Sequence, residues 1–338
     1  MYKTEAEEVP VFPNNVLGPR ALRKAGKMRY NKGDLFWLAG CTGRRMGIIL
    51  GLAAALGWGT ADFLARSATR LIGTYRTLFF MQFIGLMSLS IYLIASGEFV
   101  RLLGSTSWQP WAWCVVVALL NVVSSLALYR AFEIGVLMVV SPIAASYAAL
   151  TVALALLSGE TVSQVRGIGI GAALIGVVLA ATSMAPMQEA SAEVKPKRQR
   201  LTRGVGLAML AALGFGMMFW LLGFQVAPAL GGVAPIWLIR LVTPCALMLG
   251  AAPTRQSLHL PAWPVWRLII GVGVLDTAAY VANTIGFATH QVAVVSVLAS
   301  LFSTVTVVLA WLFLRERLRW NQWVGIISIF IGIALVSV

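Results

Sequence analysis

The chain has 338 residues, 59% hydrophobic and only 11% charged, with a mean hydropathy of +0.85. Soluble domains carry roughly 45–50% apolar and about 25% charged residues, so a soluble fold is excluded, as are a disordered chain, a collagen-like fibre and a disulfide scaffold. The excess of 26 Lys and Arg over 12 Asp and Glu sits in a tail and between apolar segments. There it orients helices against a bilayer, so no nucleic-acid partner is expected. Cys41, Cys114 and Cys245 are odd in number and lack metal-ligand spacing.

Residues 1–45 are basic, punctuated by Pro and Gly, and lack the apolar core of a signal peptide. They predict a disordered tail. Two readings of it stay open: an untranslated leader before a start at Met46, or a cytoplasmic tail. A helix needs about 20 mostly apolar residues to cross hydrocarbon. Stretches poor in charge predict spans at 46–65, 74–96, 111–131, 135–157 and 165–185, then at 204–225, 232–251, 265–287, 291–314 and 320–337. Pro228, Gly231, Gly232 and Pro235 split the long stretch 204–239, and Thr289-His290-Gln291 splits 277–314. A polar, basic linker, 186–203, joins the fifth span to the sixth.

Five spans on each side of one linker suggest an internal duplication. Ala55-Leu56-Gly57-Trp58-Gly59 matches Ala212-Leu213-Gly214-Phe215-Gly216 at an offset of 157. In that register Gly47, Gly51, Ala55 and Gly59 fall on Gly204, Ala208, Ala212 and Gly216, one small residue per helical turn. Such stripes let helix backbones approach where lipid supplies no hydrophobic drive, and the same reading is given to Gly167-x-x-x-Gly171. Gly159-Glu160 aligns with Arg315-Glu316 at an offset of 156. The repeats are therefore 46–185 and 204–338. An odd number of spans per repeat inverts the second copy, an architecture of secondary transporters with a midplane site.

These residues carry a resemblance. Ala55 to Gly59, Ser141-Pro142-Ile143, Gly159-Glu160 and Gln164 to Gly176 in the first half resemble the EamA-like type of the drug/metabolite transporter superfamily. In the second half Ala212 to Gly216, Leu314-Arg315-Glu316 and Gln322-Trp323-Val324-Gly325 do the same. Arg315 stands where the family has Gly, and Val297-Leu298 lack the Ser-Pro of the first copy. The resemblance implies an all-α integral membrane protein of ten transmembrane helices in two inverted five-helix repeats. It also implies export or uptake of a small metabolite, frequently coupled to protons. Counted over the loops, fourteen basic residues on one side face Arg101 and Arg166 on the other, which puts both ends of the bundle outside. The nine basic residues of the tail raise the poorer side to 11, and the family resemblance implies cytoplasmic termini.

An ionisable group inside a bilayer costs roughly 2.5–3.5 kcal/mol on insertion scales, so each needs a reason. Arg240 and Asp276 fall at the centres of their spans, with Gln82 and Asn121 near the middles of the second and third spans. Trp237-x-x-Arg240 echoes Phe79-x-x-Gln82. One reading is that Arg240 and Asp276 neutralise each other and lock two helices together. The other is a binding site in which Arg240 takes a substrate carboxylate and Asp276 takes an ammonium or a proton. Trp58, Phe215, Trp237, Tyr280 and Tyr147 are placed to wall such a cavity. Glu160 and Glu316 close the fourth and ninth spans, either as interfacial charges that end a helix or as a gate latch. Asp62 and Arg66 read as an ion pair at a membrane edge.

His259 and His290 lie in loops, and no HExxH, Walker A or GxSxG motif occurs, so no enzyme activity, cofactor or metal is expected. The expected function is a multi-pass transporter of the plasma (inner) membrane. It would be a proton-coupled exporter of a small zwitterionic or amphipathic metabolite, amino-acid-like or drug. Its expected partners are that small molecule and the lipid bilayer, with a homodimer as a candidate assembly. The alternatives are an uptake permease or antiporter for a sugar or quaternary amine, and a non-transporting assembly or lipid-handling protein.

Overall fold

The computed structural model describes residues 32–98, 107–135, 137–181, 204–314 and 320–337. The chain divides into two units, 1–43 and 44–338. Residues 32–43, expected from the sequence to belong to an irregular tail, are helical. The apolar run Leu35-Phe36-Trp37-Leu38-Ala39 behind Asp34 suits a helix start. Everything below concerns the second unit.

Its regular elements, among the described residues, are all helices. The helices are α1 (Arg45–Ile72), α2 (Thr74–Ser96), α3 (Trp108–Ile134), α4a (Leu137–Ala145), α4b (Tyr147–Leu157) and α5 (Gln164–Ala181). The second half follows with α6 (Val205–Leu230), α7 (Ala234–Ala251), α8 (Trp263–Phe287), α9a (Val292–Ser300), α9b (Phe302–Leu314) and α10 (Trp320–Ser337). Eight spans among the described residues are long and apolar enough to cross a membrane, with each broken pair α4a/α4b and α9a/α9b forming one span and α5 and α10 not among the eight. Large apolar side chains such as Leu56, Ile94, Leu249 and Phe330 face outward, while Gln82, Asn121, Arg240 and Asp276 are buried. That inside-out polarity suits a lipid solvent.

Two local departures follow from backbone chemistry. In α6 the turn Leu222–Val226 is a π-helix, just before Pro228. Proline cannot donate the next helical hydrogen bond, and the widened turn absorbs the mismatch, so α6 runs five residues past the expected end at 225. The fourth helix of each half is broken at an equivalent place, Ser146 in one and Leu301 in the other. Beside these breaks the hydroxyls of Ser146 and Ser300 donate to the carbonyls of Ile143 and Val297, at 2.6 and 2.7 Å. Such back-bonding competes with the helical ladder, and Pro142 weakens the first copy further.

The two halves interlock by exchanging partners. Gly57 of α1 lies against Ala279 of α8, and Gly214 of α6 lies against Ser124 of α3. Thr306 of α9b donates to the carbonyl of Gly59 at 3.1 Å, and Thr151 of α4b donates to that of Gly216 at 3.1 Å. Each contact maps onto its twin by the offset of about 156 residues. The small-residue stripes of α1 and α6 are thus the seams on which each half grips the other. Helices α5 and α10 form a third seam, where a Cβ at Gly169 would lie 2.9 Å from the Gly332 carbonyl and one at Gly176 would lie 2.7 Å from that of Gly325. Ser328 adds a hydrogen bond of 2.9 Å to the carbonyl of Ala172.

The glycines expected to pack α5, Gly167 and Gly171, face open space instead. A glycine-rich helix that is apolar beyond Arg166 offers several small faces, and the partner α10 selects the one through Gly169 and Gly176. Gly176→Ala should therefore lower stability by about 1–3 kcal/mol, the usual range for overpacking. Gly171→Ala should leave it unchanged or raise it slightly. Thermal unfolding of both variants in one detergent checks the contrast.

Candidate functional site

The site grows from one guanidinium. Arg240 lies midway along α7 and is fully buried, with 0% exposure. Its Nη2 donates to Asp276 Oδ2 of α8 at 2.7 Å, and its Nη1 donates to Gln82 Oε1 of α2. Its guanidinium carbon stands 4.9 Å from the centre of the Tyr280 ring, one turn beyond Asp276. The stem crosses α2 where Gly85 leaves room: a Cβ there would meet Thr277 Oγ1 and lie 3.0 Å from Arg240 Cδ. The sequence reading missed Gly85, although it sits one turn beyond Gln82 on the same face.

Behind this pair is a supporting chain of neutral hydrogen bonds. Asn121 Nδ2 donates to the Tyr280 hydroxyl at 2.8 Å, and Thr243 Oγ1 donates to Asn121 Oδ1 at 3.4 Å. The polar residues singled out in the second and third spans of each half therefore meet in the bundle centre: Gln82 with Arg240, and Asn121 with the helix that carries Asp276. Trp237 turns elsewhere, donating its indole N–H to Ser90 at 2.9 Å.

In front of the pair is a narrow cavity of about 40 Å³, lined by Trp58, Asp62, Gln82, Tyr129, Tyr147, Phe215, Phe219, Asp276, Tyr280 and Phe302, among others. That volume holds a few waters and no metabolite. Its walls are aromatic. Trp58 packs edge-on to Tyr280 at 5.0 Å, Tyr147 contacts Phe219 at 4.9 Å, and Tyr147 stacks on Phe302 at 6.4 Å. Tyr147 and Phe302 begin α4b and α9b, so the two helix breaks deliver matching rings to one chamber. The indole of Trp58 also reaches toward the Asp276 carboxylate.

Of the residues named from sequence, Trp58, Phe215, Tyr147, Gln82, Asp276 and Tyr280 line the cavity, whereas Arg240, Asn121 and Trp237 do not. Phe219, Phe302 and Tyr129 were missed; in helices that are apolar all round, an extra aromatic gives no signal of its own. Asp62 corrects the sequence reading. It is 7% exposed and faces the cavity, and it forms no ion pair with Arg66 among the described residues. The first span was ended at 65, but α1 continues to Ile72, which places Asp62 about 10 Å deeper than the expected edge.

Glu160 sits at a bundle end rather than in the chamber. Gly159 adopts φ 93° and closes α4b, with the Glu160 N–H returning to the Ala155 carbonyl at 3.1 Å. The Glu160 carboxylate then accepts the N–H of Ala293, at 3.1 Å to both oxygens, in the first turn of α9a. It caps a helix of the opposite half. Glu316 lies outside the described residues.

The family comparison agrees with this architecture. The model of the EamA-like transporter family matches the chain twice, over residues 45–182 and 202–338. The match over both halves makes this a multi-pass membrane transporter of drug/metabolite type. The chain belongs to the EamA-like transporter family, a family of transporters rather than enzymes. A solved crystal structure of a protein superposes with a TM-score of 0.65, covering 86% of this chain and 95% of its own at 18% identity, a likeness of fold. Comparison with curated proteins gives no match.

Burial pushes the Glu160 carboxyl above its ordinary value of 4.5, against the downward pull of the Ala293 and Val292 amides. The folded protein then holds this proton more tightly than the unfolded chain. Between the ordinary and the raised value, falling pH should stabilise the wild type relative to Glu160→Gln, and rising pH should remove that advantage. Thermal unfolding of both proteins over a pH series checks this; parallel curves would contradict it.

Proposed function

We propose that the protein is a ten-helix secondary transporter built from two inverted five-helix repeats, 46–185 and 204–338, in the plasma (inner) membrane. It exports a small zwitterionic or amphipathic metabolite, amino-acid-like or drug, by alternating access, driven by protons. The observation that carries this reading is the narrow aromatic chamber set against a buried ion pair where the two halves meet. A chamber with room for a few waters is what one intermediate of an alternating-access cycle requires, since substrate must enter from one side and leave by the other.

Roles follow from position. Trp58, Phe215 and Tyr280 supply flat apolar wall, and Gln82 and Asp276 supply polar contact at its edge. Arg240, Asn121 and Trp237 come into reach of substrate as the bundle opens. Asp276 takes part in proton coupling, because a carboxylate in a chamber with room for only a few waters exchanges charge for a proton at little structural cost. Glu160 acts as a gate: its bonds to Ala293 tie the end of the first repeat to the second and must part when that end opens. Glu316 is assigned the equivalent role at the opposite end.

The test is flux. Proteoliposomes loaded with a mixed metabolite extract and given a pH gradient should release a small set of compounds, read by mass spectrometry. Asp276→Asn, and the charge-balanced Arg240→Gln/Asp276→Asn double variant as a folding control, should lose the pH-driven component. Undiminished pH-driven efflux in both would remove Asp276 from the coupling path. Absence of any flux from folded wild type would overturn the reading.

A further inference from the structure

The chamber contains one more carboxylate than its cation can balance. Both terminal nitrogens of Arg240 are taken, by Asp276 and Gln82, its face lies over Tyr280, and only its buried Nε has no acceptor. Asp62 faces the same chamber from α1, one turn beyond Trp58, close enough to Asp276 for the two charges to repel. Neither a hydrogen bond nor an ion pair holds the Asp62 carboxylate among the described residues. The groups that face it are Asp276 and Tyr280 from α8 and Tyr129 from α3, with Tyr147 across the chamber from α4b and Arg66 one turn further along α1. All of the chamber's tyrosines are neutral donors at physiological pH, so none supplies a countercharge.

The duplication adds a second argument. At the offset of 157 that relates α1 to α6, Trp58 corresponds to Phe215 and Asp62 corresponds to Phe219. Phe219 fills its position as an aromatic hub, in contact with Trp58, Tyr147 and Tyr280. Packing at this station is thus satisfied by an apolar ring, and the carboxylate at Asp62 is an asymmetry that packing leaves unexplained. A lone negative charge in a chamber with room for only a few waters is costly, and a proton or a bound cation relieves it.

We propose that Asp62 and Asp276 form a carboxylate pair that, with Arg240 balancing one of the two, binds a single exchangeable cation at Asp62, alternately a proton and the ammonium group of an amphipathic, aromatic-compatible substrate. This rests on the transport reading above and narrows its substrate class. Because Arg240 does not line the chamber, a substrate carboxylate finds no free cation there, whereas an ammonium finds Asp62 and a surrounding of ring faces that attract cations. The exchange balances: the ammonium enters, Asp62 releases its proton to water, and the net charge of the chamber does not change.

The full-length protein in liposomes tests this with benzylammonium as the probe. Infrared difference spectra read the carboxylic-acid carbonyl band, and a weakly buffered medium reads released protons. Wild type should show a protonated-carboxyl band that disappears as benzylammonium binds, with one proton released per probe bound. Asp62→Asn should show neither the band loss nor the release, and Asp62→Glu should restore both, which separates a lost carboxyl from a lost fold. Wild type without proton release, or release undiminished in Asp62→Asn, overturns the proposal. If wild type carries no pH-driven flux while band and proton release behave as expected, the transport reading falls and the carboxylate pair stands. Flux that keeps its pH dependence in Asp62→Asn overturns the pair and leaves the transport reading intact.

Discussion

A guanidinium buried in the middle of a membrane bundle is the constraint around which this structure is arranged. Left alone there, its charge would cost several kcal/mol, and the protein meets that cost with a carboxylate at 2.7 Å, an amide oxygen and an aromatic face. Two of these partners come from α8 and one from α2, so holding Arg240 fixes how α2, α7 and α8 lie against one another. Gly85 is small because the arginine stem passes over it, and Asn121 is polar because Tyr280 must be held in place. The centre of the bundle is polar for a local electrostatic reason, while the rest of its packing is apolar and small.

The exchange of partners between the halves determines what this centre can do. Helices α1 and α6 each pack on the opposite half through glycine and alanine faces, and the same carbonyls at Gly59 and Gly216 receive threonine hydroxyls from that half. Lipid gives no hydrophobic drive to such contacts, so close backbone approach and a few hydrogen bonds hold the seams. Smooth seams of this kind hold two bodies in register and also let them rock. The broken fourth helix of each half brings one ring, Tyr147 or Phe302, to the chamber, and Glu160 joins the end of α4b to the first turn of α9a.

Much of the framework was legible in the sequence. Charge-poor runs and their Gly/Pro interruptions mark the helices, since α6 ends and α7 begins around Gly231 and the α8–α9a turn falls at Thr289-His290-Gln291. The pairing of Arg240 with Asp276 follows from the cost of a lone charge in hydrocarbon. What escaped the sequence depends on rotation and depth. Asp62 looked like an edge residue because a helix end, where polarity rises gradually, is harder to fix than a helix centre. Gly167 and Gly171 looked like packing residues because an apolar helix carries no mark of which face meets its partner. Trp237 was grouped with Arg240 by spacing, yet three residues rotate a side chain about 60° away, and its indole found Ser90 instead.

The most direct test of the central claim is a double-mutant cycle on the ion pair, with unfolding free energies measured for Arg240→Gln, Asp276→Asn and the double variant in one detergent. If the pair is the constraint described, each single change leaves a buried charge or acceptor unbalanced and costs about 3–5 kcal/mol, and the double variant recovers a large part of that loss. Single losses that are small, or that simply add in the double variant, would show that Arg240 and Asp276 do not depend on each other and would contradict the account.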